Sequence, residues 1–422
     1  MRLARSSLTA AAIALAAQVS PHLSDIWRDD YAQGAAWEPR VKAILDVSRV
    51  AARGGPYLSV PAGRGFEAAD LKVNDLGFAA LGYAWGRAFG QPLKRRTLMA
   101  VNLVILVTAL LALFAVLPPL SRLLASLVLL LTPIPVPAYR SPDPLAVHGS
   151  LALLGVVIAA SVMRRWPYWS YASIGLFLFV MHKIRSAYAL YAAAALLAVA
   201  VIGAWRDKNR PPLLRASATL FTCFALEALW QVPLAARAAD PRVSQQDTLG
   251  THNIYIVLLE GVGWSHNRWG IKASDPWAAT YLADRFGADP VNVGTGESER
   301  RARRAYFDLW LQEPAHLIAV YASRVPKAVA DHCFGGTLGG LVLLVAMPSA
   351  AILGWRQSIP AGGLLLASAG VTLCLVFQTV VLDPRLIYAY PLRIASGLTL
   401  ALASAQLLEA LARRKARLRP SA

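Results

Sequence analysis

Two long polar stretches, roughly residues 21–73 and 233–335, interrupt a chain that is otherwise a succession of strongly apolar segments. Apolar residues make up 56% of the 422 positions and charged residues 16%, with a mean hydropathy of +0.47. A soluble domain could not bury that much apolar surface, so the chain is expected to cross a membrane repeatedly. A crossing helix needs about 20 mostly apolar residues, because no water satisfies its backbone inside the bilayer. Segments near 6–20, 74–91, 97–117, 145–163, 168–183, 187–204, 213–232, 336–356, 361–382 and 388–409 approach that requirement. The expected fold class is an all-α polytopic membrane protein with about 10 transmembrane helices and two long extracytoplasmic loops.

The net charge of +18 invites a nucleic-acid reading, but its distribution follows the membrane sorting rule. Basic clusters punctuate the spans: Arg2 and Arg5; Lys94, Arg95 and Arg96; Arg164 and Arg165; Arg206, Lys208 and Arg210; Arg356; and Arg413, Arg414, Lys415, Arg417 and Arg419. Placing all of them in the cytoplasm puts both termini inside and both polar stretches outside. No soluble basic domain remains to hold a duplex, so nucleic acid is not an expected partner. Residues 119–134 are bounded by Pro118, Pro119, Pro133, Pro135 and Pro137 and are short for a crossing, so they are read as a re-entrant segment.

The first apolar segment has features of a signal peptide but is read as an uncleaved helix, because the parity of the later spans needs it. The expected organisation is 1–232, an amino-terminal transmembrane module with the first outer loop; 233–335, the large outer loop; and 336–422, the last helices with a basic tail. Cys223, Cys333 and Cys374 form no disulfide framework or metal pattern. No internal repeat is evident, which weighs against a repeat-built transporter.

The outer segments carry the candidate chemistry. Asp29 and Asp30 follow the first helix, where an ionised carboxylate can take a proton from an acceptor or hold a divalent cation against a phosphate. Lys72 precedes the second span and is either a phosphate partner or a snorkelling interfacial lysine. Arg140 and Asp143 lie in Tyr139–Pro144. Lys183 sits with His182 and Arg185 on the face that sorting keeps poor in cations, which points equally to an anionic headgroup or to helix anchoring. His252, Tyr255, Glu260 and Asp275 punctuate a stretch rich in glycine and aromatics, suited to stacking on a sugar or to an interfacial belt. Residues 297–316 read as an amphipathic helix along the outer surface.

In order along the chain these residues resemble the integral-membrane glycosyltransferases of the GT-C class, near the protein mannosyltransferase and aminoarabinose transferase branch. The resemblance rests on Asp29-Asp30-Tyr31, Lys72, Phe89-Gly90 with Arg95-Arg96, Asp143-Pro144-Leu145, Lys183, the series from His252 to Asp275, and Arg385-Leu386-Ile387-Tyr388 with Pro391. It departs in having Asp-Asp where Asp-Glu is commoner and Asn74-Asp75-Leu76 where Pro-Pro precedes the second helix. The chain also lacks a sizeable soluble carboxy-terminal domain, which assigns acceptor recognition to the loops or to a partner.

The resemblance implies a polyprenyl-phosphate sugar donor, an extracytoplasmic acceptor of unassigned identity, inversion at the anomeric carbon, and an active site facing the periplasm from a bacterial inner membrane. Asp29 or Asp30 would be base or metal-held orienting group; Lys72, Lys183 and Arg385 would offset phosphate charge, with Tyr388 nearby. Membrane lipids are the other expected partner. The alternative is a transporter or flippase for a polyprenyl-linked or anionic lipid, using the same cations for passage.

Overall fold

The computed structural model describes residues 2–28, 38–63, 65–69, 76–132, 148–208, 210–244, 254–286, 296–345, 359–382 and 386–417. Helices dominate it. They are α1 (Arg2–Arg28), α2 (Glu38–Ala52), α3 (Gly77–Phe89), α4 (Arg95–Val116), α5 (Pro119–Leu131), α6 (His148–Ser161), α7 (Tyr168–Ile184), α8 (Ser186–Asp207) and α9 (Pro211–Ala238). After these come α10 (Ile254–Val262), α11 (Asp275–Phe286), α12 (Gly296–Gln312), α13 (Pro314–Ala322), α14 (Val325–His332), α15 (Gly336–Val345), α16 (Ile359–Phe377) and α17 (Leu386–Arg417). A π-helical turn, Gln378–Leu382, closes α16.

Six of the described helices are long and apolar enough to cross a membrane, or seven if the pair Pro314–His332 and Gly336–Val345, bent by 113°, counts as one broken span. Pro119–Leu131 and His148–Ser161 are shorter apolar helices. One continuous core of Leu, Ala, Val and Ile, including Leu106, Leu110, Leu153, Leu196, Leu365 and Leu398, joins α1 to α4–α9, α16 and α17. Many outward side chains on these helices are large and apolar, such as Leu111, Phe177, Phe221 and Leu373, as a lipid-facing surface requires.

The bundle has two distinguishable poles. At the first, Arg164 donates to the Val116 carbonyl at the end of α4, Arg122 to Phe114 and Leu117, and Arg215 at the start of α9 to Val162. Each guanidinium satisfies carbonyls that a helix end leaves open, where the dipole also favours positive charge. Arg165, Arg206, Lys208 and Arg210 adjoin the same helix ends in the chain. This is the basic pole. At the other, the Tyr390 hydroxyl near the start of α17 donates to Thr132 after α5, Gln18 of α1 donates to Leu129, and Gly149 of α6 packs on Tyr390 and Ile394. The long polar stretches attach here, so it is the loop pole.

Two expectations change. The expected span 74–91 is α3, of only 13 residues, about 20 Å long at 1.5 Å per residue. It starts against Lys183 and packs along α2, where an added Cβ on Gly86 would meet the Ser48 carbonyl at 2.3 Å. Its buried Phe78 and Ala79 join Ile44, Val47 and Leu58 in a separate core, so α3 stays at the loop pole. Conversely, α5, expected as re-entrant, runs beside α1 and α17 from Arg122 at the basic pole to Thr132 at the loop pole. The two differences offset each other, so the poles of α6–α9, α16 and α17 follow the expected alternation. Among the described basic clusters Lys94, Arg95 and Arg96 change pole, because α4 starts at the loop pole.

The all-α expectation also omits a small sheet. β1 (Ser59–Ala62) and β2 (Gly65–Ala68) form an antiparallel hairpin with Ser59 opposite Ala68, and β3 (Val243–Ser244) pairs parallel to β2 with Phe66 opposite Val243. The backbone N–H of Phe66 donates to the Arg242 carbonyl, and the buried Arg237 guanidinium donates to Leu58. The first polar stretch is thereby stitched to the large one. The expected amphipathic helix is present as α12, and the expected span 336–356 lies partly outside the described residues.

Candidate functional site

Of the sequence candidates, Asp29, Asp30, Lys72, Arg140, Asp143, His252 and Arg385 lie outside the described residues, as do the side chains of Asp275 and Tyr388. Their flanking elements are described. Asp29 follows α1 directly; Arg140 and Asp143 fall between Thr132 and His148; Arg385 falls between the π-turn and α17. All of these flanking ends belong to the loop pole. Lys72 is five residues before Gly77, within about 18 Å of chain reach, and an added Cβ on Gly77 would meet the Lys183 carbonyl at 2.6 Å.

Lys183 is the best-defined candidate. It is the penultimate residue of α7, and its Nζ donates to Glu227 of α9 at 2.6 Å from Oε1 and 2.5 Å from Oε2. Nζ also sits 5.3 Å from the Phe179 ring centroid and 5.2 Å from that of Trp230. α7 and α9 run parallel, with Gly175 against Thr219 and Thr222, and that contact keeps residues 183 and 227 in register. His182 Nε2 lies 3.8 Å from Glu227 Oε2, and Gln231, one turn further on, donates to Oε1 at 3.1 Å.

Lys183 borders a cavity of about 300 Å³ between α3, α4, α7 and α9, lined by apolar residues including Phe78, Leu81, Val101, Ile105, Phe179 and Trp230. Among the described residues lining it, Lys183 is the only charged one. The Trp230 Nε1 is buried and has no hydrogen-bond partner among the described residues. An apolar slot with a lysine in its wall suits an amphiphile with an anionic head.

Tyr255 and Glu260 belong to a different cluster, on α10. The backbone N–H of Tyr255 donates to both oxygens of Glu299, 3.2 Å away, and its ring packs on Phe307. Glu299 thus caps the start of α10, while burial pushes its carboxyl above the usual range. Glu260 is half-buried on the same helix, and Asp275 opens α11.

The glycines in this series are explained by packing. An added Cβ on Gly261 would meet the Val381 carbonyl at 2.2 Å, and one on Gly263 would meet the backbone carbon of Lys272 at 2.3 Å. Asn267 closes the turn, donating to Ser265 and Ile271 and accepting from the Ile271 N–H. Arg324, between α13 and α14, donates to Ser265 Oγ, the Val380 carbonyl and the Val262 carbonyl, which ties this cluster to the π-turn.

The sequence reading missed Glu227, although a signal was present: it is the one acidic residue in the apolar α9, and an ionisable side chain inside a span usually has a specific partner. Arg324 and Arg237 gave no comparable signal, because they donate to groups far away in sequence, among them the main-chain carbonyls of Val380 and Leu58, 56 and 179 residues away. Among the described residues no group of three or more His, Cys, Asp or Glu side chains could hold a metal ion.

No protein-family model and no curated protein sequence matches the chain. Among solved structures it is similar to the archaeal oligosaccharyltransferase AglB from Archaeoglobus fulgidus, in complex with an inhibitory peptide and a dolichol-phosphate. The likeness has a TM-score of 0.50 at 14% identity and covers 99% of this chain and 52% of that one. The chain therefore spans about half the length of the protein it matches, and what the two share is a GT-C-like membrane fold.

Proposed function

We propose that this chain is a membrane glycosyltransferase that moves a sugar from a polyprenyl-phosphate carrier to an acceptor on the extracytoplasmic side, with inversion. The observation that supports this reading is the loop pole, which holds the described ends flanking the candidate-bearing segments and, on α7, Lys183 at the border of an apolar cavity. The fold shared with an oligosaccharyltransferase solved in complex with a dolichol-phosphate supports the same class. On this reading the loop pole faces the periplasm of a bacterial inner membrane and the basic pole faces the cytoplasm, as the sorting rule favours.

The carrier chain lies among the helices and its phosphate reaches Lys183. Asp29 or Asp30 takes the hydroxyl or amine proton of the acceptor as its nucleophile forms a bond to the anomeric carbon. The bond from that carbon to the phosphate oxygen breaks, and its electron pair leaves with the phosphate. Lys72, Lys183 and Arg385 offset the charge that gathers there; fixed cations in a water-poor cavity act more strongly than in bulk. A phosphate is a good leaving group, so positioning and charge stabilisation are sufficient. The acidic pair also suits a divalent cation, and dialysis against a chelator separates that role from general base.

Purified protein in nanodiscs, given radiolabelled polyprenyl-phosphate sugars and a panel of acceptors, tests the reading. Label transferred to an acceptor with release of polyprenyl phosphate is expected. Vectorial movement of the intact lipid without release would instead identify a flippase.

A further inference from the structure

Lys183 does not meet the cavity as a free cation. Its charge contacts among the described residues go to one carboxylate, that of Glu227, and the two partners are held very differently. The Lys183 side chain is 13% exposed and packs beside the Phe179 and Trp230 rings, whereas that of Glu227 is 29% exposed and has Gln231 and His182 as further partners. The carboxylate can turn away without losing all its contacts. The ammonium cannot follow without leaving the cavity wall.

We propose that Glu227 and the phosphate of a single-chain isoprenoid lipid are alternative partners of Lys183, so that Glu227 sets the affinity and selectivity of the site by competing for its cation. This rests on the donor reading above and adds to it a residue on α9. Charge complementarity favours the occupant: the slot is apolar and its charged lining residue is a lysine. Its size favours one chain, because about 300 Å³ is at the bottom of the range for small-molecule sites and does not admit two acyl tails. The competition discriminates. A ligand must supply an anion that outbids a carboxylate already in place, so neutral and zwitterionic lipids of the surrounding bilayer gain nothing there.

The sign of one substitution tests this. Radiolabelled prenyl phosphate is titrated onto the full chain in phosphatidylcholine nanodiscs, with inorganic phosphate and phosphatidic acid as competitors and thermal melts as fold controls. Lys183→Met is expected to weaken binding roughly tenfold or more. Glu227→Gln, which keeps the shape and removes the charge, is expected to tighten it by about tenfold. Glu227→Asp, which keeps the charge on a shorter arm, is expected to fall between Gln and wild type, and the double variant to behave as Lys183→Met. Binding by Glu227→Gln that is equal to or weaker than wild type, with Lys183→Met still impaired, would overturn the competition and leave the donor site standing. Equal binding by wild type and Lys183→Met, or none by wild type, would overturn both. Displacement by inorganic phosphate or phosphatidic acid at the same concentration as prenyl phosphate would overturn the single-chain assignment.

Discussion

Arg164 and Lys183 are both cations at the carboxy-terminal ends of apolar helices, at opposite poles of one bundle. Arg164 donates to the Val116 carbonyl, a main-chain group fixed by α4, and its own carbonyl accepts from the Tyr171 hydroxyl. Lys183 is met by a side chain, Glu227, beside a cavity. A partner built into the backbone cannot be exchanged, so that contact serves the fold; a side-chain partner can be exchanged for a ligand. The basic pole is thus organised for stability, and the loop pole holds a cation whose partner is replaceable.

The sharpest test of this contrast is which pole faces outside. In a background lacking Cys223, Cys333 and Cys374, Lys94→Cys is expected to react with an impermeant thiol reagent in sealed cells, and Arg165→Cys only after permeabilisation. The reverse pattern would invert the poles and remove the proposed site from the acceptor's side. Next in size, Asp29→Asn combined with Asp30→Asn is expected to cut transfer by roughly 100-fold or more while the thermal melt stays put. Wild-type turnover in that double variant would leave the acidic pair without a role.

A smaller effect separates the two cations directly. Lys183→Met is expected to lower kcat/KM for the donor roughly tenfold with little change in melting temperature. Arg164→Met should do the opposite, costing about 1 kcal/mol of stability and leaving turnover per folded molecule unchanged. If both variants lose stability alone, the two poles do not differ in kind.

The smallest effect is expected at a solvated pair of the loop pole. Hydrogen bonds from the Arg242 guanidinium and N–H hold the Asp240 carboxyl at about 2. A carboxyl depressed in the folded state contributes stability that is present above its unfolded value and lost as pH falls through the folded one. A slight decline in stability between about pH 4 and pH 2, absent in Asp240→Asn, is expected from unfolding measured across that range. The pair is exposed, so a large effect would mean that it does more than decorate the strand beside it.

Much of the bundle was legible because hydropathy reports directly on burial in lipid. The segments that became α1, α4, α8, α9, α16 and α17 were read near their observed positions. The two misreadings were helices of equal length: α3 and α5 have 13 residues each. Apolar content does not distinguish them. What does is what they pack against, since α3 has the amphipathic α2 as partner while α5 lies between α1 and α17.

At the site, Lys183 was singled out because sorting disfavours a cation there. Its partner was not, because Glu227 lies 44 positions further along the chain, after a full return across the bundle. The glycines of residues 261–263 suggested a binding loop, whereas the Val381 and Lys272 backbones explain them as close approaches.

The sequence by itself determined that this chain is built of apolar helices long enough to cross a membrane, and where most of them lie. Those properties follow from local composition, since each helix satisfies its own backbone. Only the tertiary structure decided that Glu227 holds Lys183, that β3 joins the hairpin of the first polar stretch, and that α3 packs on α2 while α5 lies between α1 and α17. These are pairings between distant segments, and their energies depend on which surfaces meet, which no window of residues records.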